Sequence, residues 1–280
     1  MRAGWSNWHL RLAILGCIGT ALLTLGGCGT RVLEERDGPG DGRDVSQVPD
    51  AVPRVEPLSR GGNPSSYVVF GKRYYPMRDS SGYVEKGVAS WYGSKFHGRK
   101  TSNGETYDMY RMTAAHKRLP LPTFVEVRNL ENGRSVVVRV NDRGPFVENR
   151  IIDLSYAAAS RIGMLGKGTA LVEIRAIDPR APKQPPRVAA TRPSPAPTPA
   201  GQAPRIFLQA GAFGDDGNAE RLRSRLSTEL SRSVRIVTTD SNGTLIHRVQ
   251  VGPLASVEIA DGVTDTLHKL GVAEPLVVID

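Results

Sequence analysis

The stretch VRVNDRGPFVENRIIDLSYAAA, Val138–Ala159, decides the reading of the fold. Its opening residues continue a β-branched run, so a strand is expected over Ser135–Asn141. Gly144-Pro145 then breaks the run. A second short strand, Arg150–Leu154, leads into a helix over Ser155–Ile162, with Ser155 as N-cap and Gly163 ending it. Working outward, further short strands are expected over Gly87–Tyr92, Thr123–Asn129 and Leu171–Ile177. Glu131-Asn132-Gly133 reads as a hairpin turn, because Asn-Gly supplies the positive φ that a tight turn needs. Many short strands with one clear helix make a small mixed β-barrel over 67–179, with an extension at its N-terminal end.

The segment 205–280 has a different rhythm, β, α, β, β, α, β. Ile206, Leu208 and Ala210 alternate with Phe207, Gln209 and Gly211, and a helix over Asn218–Leu230 places Ala219, Leu222, Leu226 and Leu230 on one stripe. A strand over Val234–Thr239 follows, then an Asn242-Gly243 turn. Beyond the turn, Leu245, His247, Val249 and Val251 face one way, and Ile246, Arg248 and Gln250 the other. A second helix, with Val257, Ala260, Val263, Leu267 and Leu270 on its buried side, precedes a last strand near Leu276–Ile279. Two helices covering one sheet face leave the opposite face open to a ligand.

Between and before these segments the composition changes. With 30 Gly and 20 Pro and an apolar fraction of 39%, part of the 280 residues must be linker. Residues 28–66 lack periodic apolar positions and read as a disordered tether, and 180–204, with PKQPPRVAATRPSPAPTPAGQAP, as a stiff Pro-rich spacer. At the start, Arg2 and Arg11 precede an apolar run from Leu12 to Leu25 that is too short to span a membrane, so 1–27 reads as a secretory signal. It ends in Leu25-Gly26-Gly27-Cys28, which matches the lipobox of bacterial lipoproteins and makes Cys28 the lipidation site. The acyl chains of such lipoproteins exceed the two signals that stable anchoring takes. Gly29, where inner-membrane lipoproteins typically carry Asp, implies by the same resemblance the periplasmic face of the outer membrane. Cys17 leaves with the signal, so no structural disulfide is expected. The formal charge of +9 is spread through linkers and domains without a basic run or a nucleic-acid motif, so nucleic acid is not an expected partner.

Polar residues concentrate in the barrel segment. GVASWYGSKFHGRKTSNGETYD and MTAAHKRLPLPTFVEV, with the opening stretch, set Glu105, Asp108, His116, Asp142 and Asp153 in or beside strand ends and turns. Breaking a glycosidic bond needs an acid for the departing oxygen, and a carboxyl of raised pKa supplies one near neutral pH. No Cys or His spacing suggests a metal site, and no cofactor is expected.

Gly87–Ile162 resembles the double-psi β-barrel of the rare lipoprotein A (RlpA) family, with its motifs in order, and also the barrel of expansins and some endoglucanases. NDRGPF and IIDLS take the places of the turn and strand that line a sugar groove there. IFLQAGAFG and HRVQVGPL resemble the SPOR domain. The resemblances imply a mainly β plus α+β chain, a six-stranded double-psi barrel followed by a small βαββαβ SPOR domain. They imply a lytic transglycosylase acting on peptidoglycan strands that lack stem peptides, at the septum, with divisome proteins as candidate partners.

By the same resemblances Asp153 is the acid/base, while Asp142, Glu105 and His116 set its protonation and hold the sugar. Gln209, Phe213, Arg248 and Gln250 are the glycan-binding residues of the SPOR face, and Trp91, Tyr92 and Tyr107 secondary groove aromatics. Each has a plainer alternative. Asp153 would also suit the positive end of the following helix, Asp142 an Asx-turn beside Arg143, and Glu105 a solvated turn. His116 suits a partly buried structural position, Phe213 and the groove aromatics a core, and Arg248 and Gln250 a wet sheet face. A non-catalytic, expansin-like glycan-binding lipoprotein is the alternative to the enzyme, because a fold does not fix an activity.

Overall fold

The computed structural model describes residues 37–181, 203–241 and 243–280. Cys28 and the signal segment, nearly all of the Pro-rich spacer, and Asn242 lie outside the described residues.

A hairpin comes first, β1 (Tyr67–Val69) and β2 (Lys72–Tyr74). The barrel follows with β3 (Val84–Tyr92), β4 (Thr113–His116), β5 (Thr123–Asn129), β6 (Ser135–Asp142), β7 (Arg150–Ser155), α1 (Tyr156–Arg161) and β8 (Ala170–Ala176). Its six strands close in the order β3-β7-β4-β6-β5-β8. The pairs β3/β7 and β4/β6 are parallel and the others antiparallel. Side chains alternate between the two faces of each strand, and closure makes one face the core. Val125 and Val127, Val136, Val138 and Val140, Ile152 and Leu154, and Val172 and Ile174 fill it, all 1% exposed or less. Asp153, between Ile152 and Leu154, is therefore turned outward. Ser155 caps α1 by accepting from the Ala158 N–H, and Gly133 takes φ +73 at the β5–β6 turn, as expected.

Two barrel features depart from expectation. The strand β4 carries Ala114 and Ala115, which give little periodic signal, and only its pairing with β6 and β7 identifies it. Residues 37–66 are not a free tether but a strap laid along the barrel. Val45 is 3% exposed and joins the barrel core. The Ala51 N–H donates to the Val137 carbonyl at 2.9 Å, and Arg139 donates to both oxygens of Glu56 at 3.2 and 2.7 Å. With so few apolar residues the strap cannot build a core of its own, but it gains order by bonding to strands already in place.

The C-terminal domain consists of β9 (Ile206–Phe213), α2 (Asp216–Glu229), β10 (Val234–Ser241), β11 (Thr244–Leu254), α3 (Val257–Lys269) and β12 (Leu276–Ile279). Its antiparallel sheet has the order β10-β11-β9-β12. Asp215 and Ser256 cap the two helices, and Ala219, Leu226, Ala260 and Leu267 bury their stripes against Leu208, Val249 and Val251. Barrel residues Val88 and Leu171 belong to the same apolar cluster. Arg150, at the start of β7, donates to both oxygens of Asp261 in α3 at 3.1 and 2.7 Å, and Asn149 donates to Asp261 and Thr264 at 2.9 Å.

Ile152→Ala removes a fully buried side chain from the barrel and should cost about 2–5 kcal/mol of unfolding free energy. The denaturant midpoint at unchanged slope reads it, and a loss far below that range would place Ile152 outside the core.

Candidate active site

The parallel pairing of β3 with β7 sets Ser90 directly beside Asp153, and the Ser90 hydroxyl donates to Asp153 Oδ1 in a short hydrogen bond. The other oxygen, Oδ2, faces the turn that joins β6 to β7. Gly144 in that turn has φ +137, a conformation that a side chain rarely tolerates. A Cβ placed there would lie 3.8 Å from the Ala115 Cβ and 3.9 Å from Asp153 Oδ2. The Phe146 ring lies 3.8 Å from the same point, so a glycine, an alanine and one aromatic edge surround that oxygen's side of the turn. Burial pushes the Asp153 carboxyl up to about 6 from 3.8, and Asp37 adds to the rise. The Ser90 hydrogen bond and the cations Lys117 and Arg150 pull the other way without cancelling it.

Asp142 is held by its neighbours. Its Oδ1 accepts from the Ser102 N–H at 2.7 Å, the Ser102 hydroxyl at 2.5 Å and the Arg143 N–H at 2.7 Å, which ties the 101–105 loop to the turn. These bonds come from the next residue and from a distant loop, so they are not the Asx-turn alternative, which needs the N–H two residues on. Asp142 and Asp153 both act on buried Tyr92, whose hydroxyl is raised first by burial and then by Tyr107 and these two carboxyls. The two acids thus both lie near the Tyr92 hydroxyl.

Glu105 sits on the rim. Arg139 donates to both of its oxygens at 2.9 Å, and Asn141 and Asn103 donate one bond each at 2.9 Å. Burial would raise its pKa, but the bonds from Asn141, Asn103 and Arg139 outweigh it and hold the carboxyl below its usual value. An anion fixed in this way is a poor proton donor at neutral pH.

His116 is not brought to Asp153. Across β4 and β7 it pairs with inward-facing Ile152, whereas Asp153 pairs with Ala115. Its ring is 2% exposed, with Nδ1 accepting from the Arg118 and Leu119 N–H groups at 3.1 and 2.9 Å and Nε2 3.2 Å from the Tyr83 hydroxyl. Burial lowers its pKa, against a smaller opposite pull from Glu85. The structure thus places His116 in the barrel wall, bonded to the 116–119 turn and not to Asp153. Tyr92 and Tyr107 are likewise core, stacked at 4.1 Å with the Tyr107 hydroxyl donating to the Tyr92 carbonyl at 2.6 Å. Trp91 is half-buried against Tyr156.

On the open face of the C-terminal sheet, Arg248 donates to Gln209 at 3.4 Å, and Arg235 donates to Gln250 at 3.1 and 2.9 Å. Arg235 also lies 3.6 Å from the Phe207 ring centroid. Gln250 is only 4% exposed, so its contribution runs through Arg235. Phe213 is not on this face. A register shift between Val249 and Gln250 makes Phe213 pair with His247, and its ring packs beside Leu222 of α2. Strict alternation could not foresee the bulge. Sequence reading also missed Ser90, Lys117 and Arg235, because pairing across strands, rather than any local pattern, makes them neighbours of the site. Among the described residues no group of three or more His, Cys, Asp or Glu side chains is placed to hold a metal ion.

Comparison with known proteins agrees with this architecture. Residues 84–174 match the family model described as lytic transglycolase, and residues 203–278 match the SPOR domain. The chain is 41% identical to the endolytic peptidoglycan transglycosylase RlpA of Pseudomonas aeruginosa, over 84% of this chain and 82% of that protein. Its similarity to the protein of the same name from Vibrio cholerae is also 41% identity, over 89% and 91%. A crystal structure of the RlpA SPOR domain from Pseudomonas aeruginosa aligns at 30% identity with 26% of this chain and 96% of that one, with a TM-score of 0.26.

A carboxyl raised on folding favours its neutral form, so its stabilising effect is complete below pH 3.8 and is lost as pH rises through about 6. Asp153→Asn should therefore match the wild type at pH 4 and exceed its stability at pH 7, by about 3 kcal/mol at most. Urea melts at the two pH values measure this, and an equal gap at both would contradict the shift.

Proposed function

We propose that this chain, which belongs to the RlpA family, cleaves peptidoglycan glycan strands as a lytic transglycosylase, with Asp153 as its acid and base. The observation that carries the reading is the half-buried Asp153, bonded through one oxygen to Ser90, with the other near the Gly144 turn, where Ala115 and Phe146 also approach. With Ser90 donating to Oδ1, the proton is carried by Oδ2. Asp153 gives that proton to the oxygen linking a muramic acid C1 to the next sugar, and the C1–O bond breaks as positive charge develops at the ring. The resulting carboxylate then takes the proton of the C6 hydroxyl of the same muramic acid. The C6 oxygen bonds to C1, closing an anhydro ring and returning Asp153 to its neutral state. Water is not consumed, so a single carboxyl serves both steps.

Asp142 and Glu105 fit supporting parts. Asp142, bound to the 101–105 loop, is held by that loop near the reacting sugar, and the Glu105–Arg139 pair fixes the rim. Gln209, Arg248 and the Arg235–Gln250 pair offer amide and guanidinium donors to sugar hydroxyl and N-acetyl groups. A preference for strands stripped of their stem peptides is part of the proposal and rests on the SPOR domain. Lipidation at Cys28, outer-membrane anchoring and enrichment at the septum complete the proposal and rest on the lipobox and the SPOR domain.

Incubating the full chain with stripped glycan should release products with anhydro-muramic ends, identified by mass spectrometry. Asp153→Asn should lower the rate by about a hundredfold or more. Wild-type turnover should decline as pH rises through about 6, since the protonated form is the reactive one. Undiminished cutting by Asp153→Asn would end the assignment. Asp142→Asn in the same assay reports whether the neighbouring carboxyl is the donor instead.

A further inference from the structure

The strap at 37–66 lies wholly outside the matched barrel region, which begins at residue 84. Its middle part makes ordinary structural contacts, but one end reaches the residues that hold Asp142, and the other the residues that follow β3. At one end, Arg143 donates from Nε to the Gly62 carbonyl at 2.8 Å and from Nη2 to Asn63 Oδ1 at 3.2 Å. Its Nη1 donates to the carbonyls of His116 and Leu119 at 3.1 and 2.6 Å. The strap therefore supplies two of the four groups that fix this half-buried guanidinium.

Asn63 is itself fixed. Its Nδ2 donates to the carbonyls of Leu121 and Ser59 at 2.7 and 3.0 Å, and its Oδ1 also accepts from the Leu121 N–H at 2.8 Å. Beside it, a Cβ at Gly61 would come within 2.9 Å of the Ser102 carbonyl, and one at Gly62 within 3.0 Å. Side chains there would push the strap off Ser102. Ser102 and Arg143 are the residues that hold Asp142. At the other end, Asp37 accepts from the Gly93 and Lys95 N–H groups at 2.9 and 3.2 Å, and Gly38 accepts from the Ser94 N–H at 2.9 Å. Those residues continue the strand that carries Ser90.

We infer that the strap is a working part of the site, in which Asn63 is a positioning residue that holds Arg143 and, through it, the turn from Asp142 to Gly144. The segment leading from the membrane side to the barrel thus belongs to the cutting machinery. The inference rests on the cleft of Asp142 and Asp153 being the cutting site.

Steady-state cutting of stripped glycan by the full chain tests it, alongside thermal melts and glycan binding. Asn63→Ala should lower kcat by about tenfold or more at temperatures where the variant is folded, while glycan binding stays unchanged. Asn63→Asp loses the same Nδ2 bonds but keeps an acceptor for Arg143, so it should retain most of kcat at a similar loss of Tm. The double variant with Arg143→Ala should cut no more slowly than Arg143→Ala alone, because both changes remove one interaction. Serine takes the place of alanine if the alanine variant does not fold. Equal kcat losses for Ala and Asp, or multiplying losses in the double variant, would reduce the strap to a structural support and overturn the inference. Asp153→Asn run in parallel separates the two readings. If it remains active, the cleft reading itself fails; if it is dead beside a fully active Asn63→Ala, only the strap role fails.

Discussion

A carboxyl kept partly out of water on the outer wall of a closed barrel is the constraint on which the rest depends. Its position follows from the period of a strand. Ile152 and Leu154 must face the core, so Asp153 cannot. Its surroundings follow from topology, because the parallel neighbour β3 brings Ser90, the antiparallel neighbour β4 brings Ala115, and the turn after β6 brings Gly144. None of the three offers it a full positive charge at contact. The carboxyl thus escapes both of the usual fates of a half-buried acid, pairing with a cation or full hydration. Glu105 shows the contrary case a short way along the rim. Arg139 and two amides hold it as an anion, and the same chemical group becomes a support instead of an acid.

Much of the fold was legible because its signals are local. The valines of β6 alternate, Asn132-Gly133 turns the hairpin, Ser155 caps α1, and the stripes on α2 and α3 set the two helices against one sheet face. What escaped was non-local. No periodicity marks Thr113–His116 as a strand, since two alanines fit any face, yet this strand separates His116 from Asp153. The bulge in β9 is invisible to an alternation count and moves Phe213 from the open face to the helix side. Asp153 and Asp142 were legible as acids in a groove, but Ser90 and Arg143 gain their significance only from partners dozens of residues away in the chain.

The strap shows how composition misleads. A stretch poor in apolar residues cannot fold alone, and reading it as disordered follows from that fact. Such a stretch still becomes ordered when a finished surface offers backbone and charged partners, as Val137, Arg139, Leu121 and Arg143 do here. The C-terminal domain meets the barrel by similar means, with Asp261 and Thr264 of α3 bound to Asn149 and Arg150 at the start of the strand that carries Asp153. Strap and C-terminal domain thus both grip the elements that present the acid.

The account stands most directly on the proton affinity of one side chain. A carbon-13 NMR titration of the Asp153 carboxyl in the full chain, assigned by its absence in Asp153→Asn, measures it. The expected midpoint is near 6, well above the ordinary 3.8. A midpoint at or below the ordinary value would mean that Asp153 is an anion throughout the working range, and the proton for the glycosidic oxygen would have to come from elsewhere.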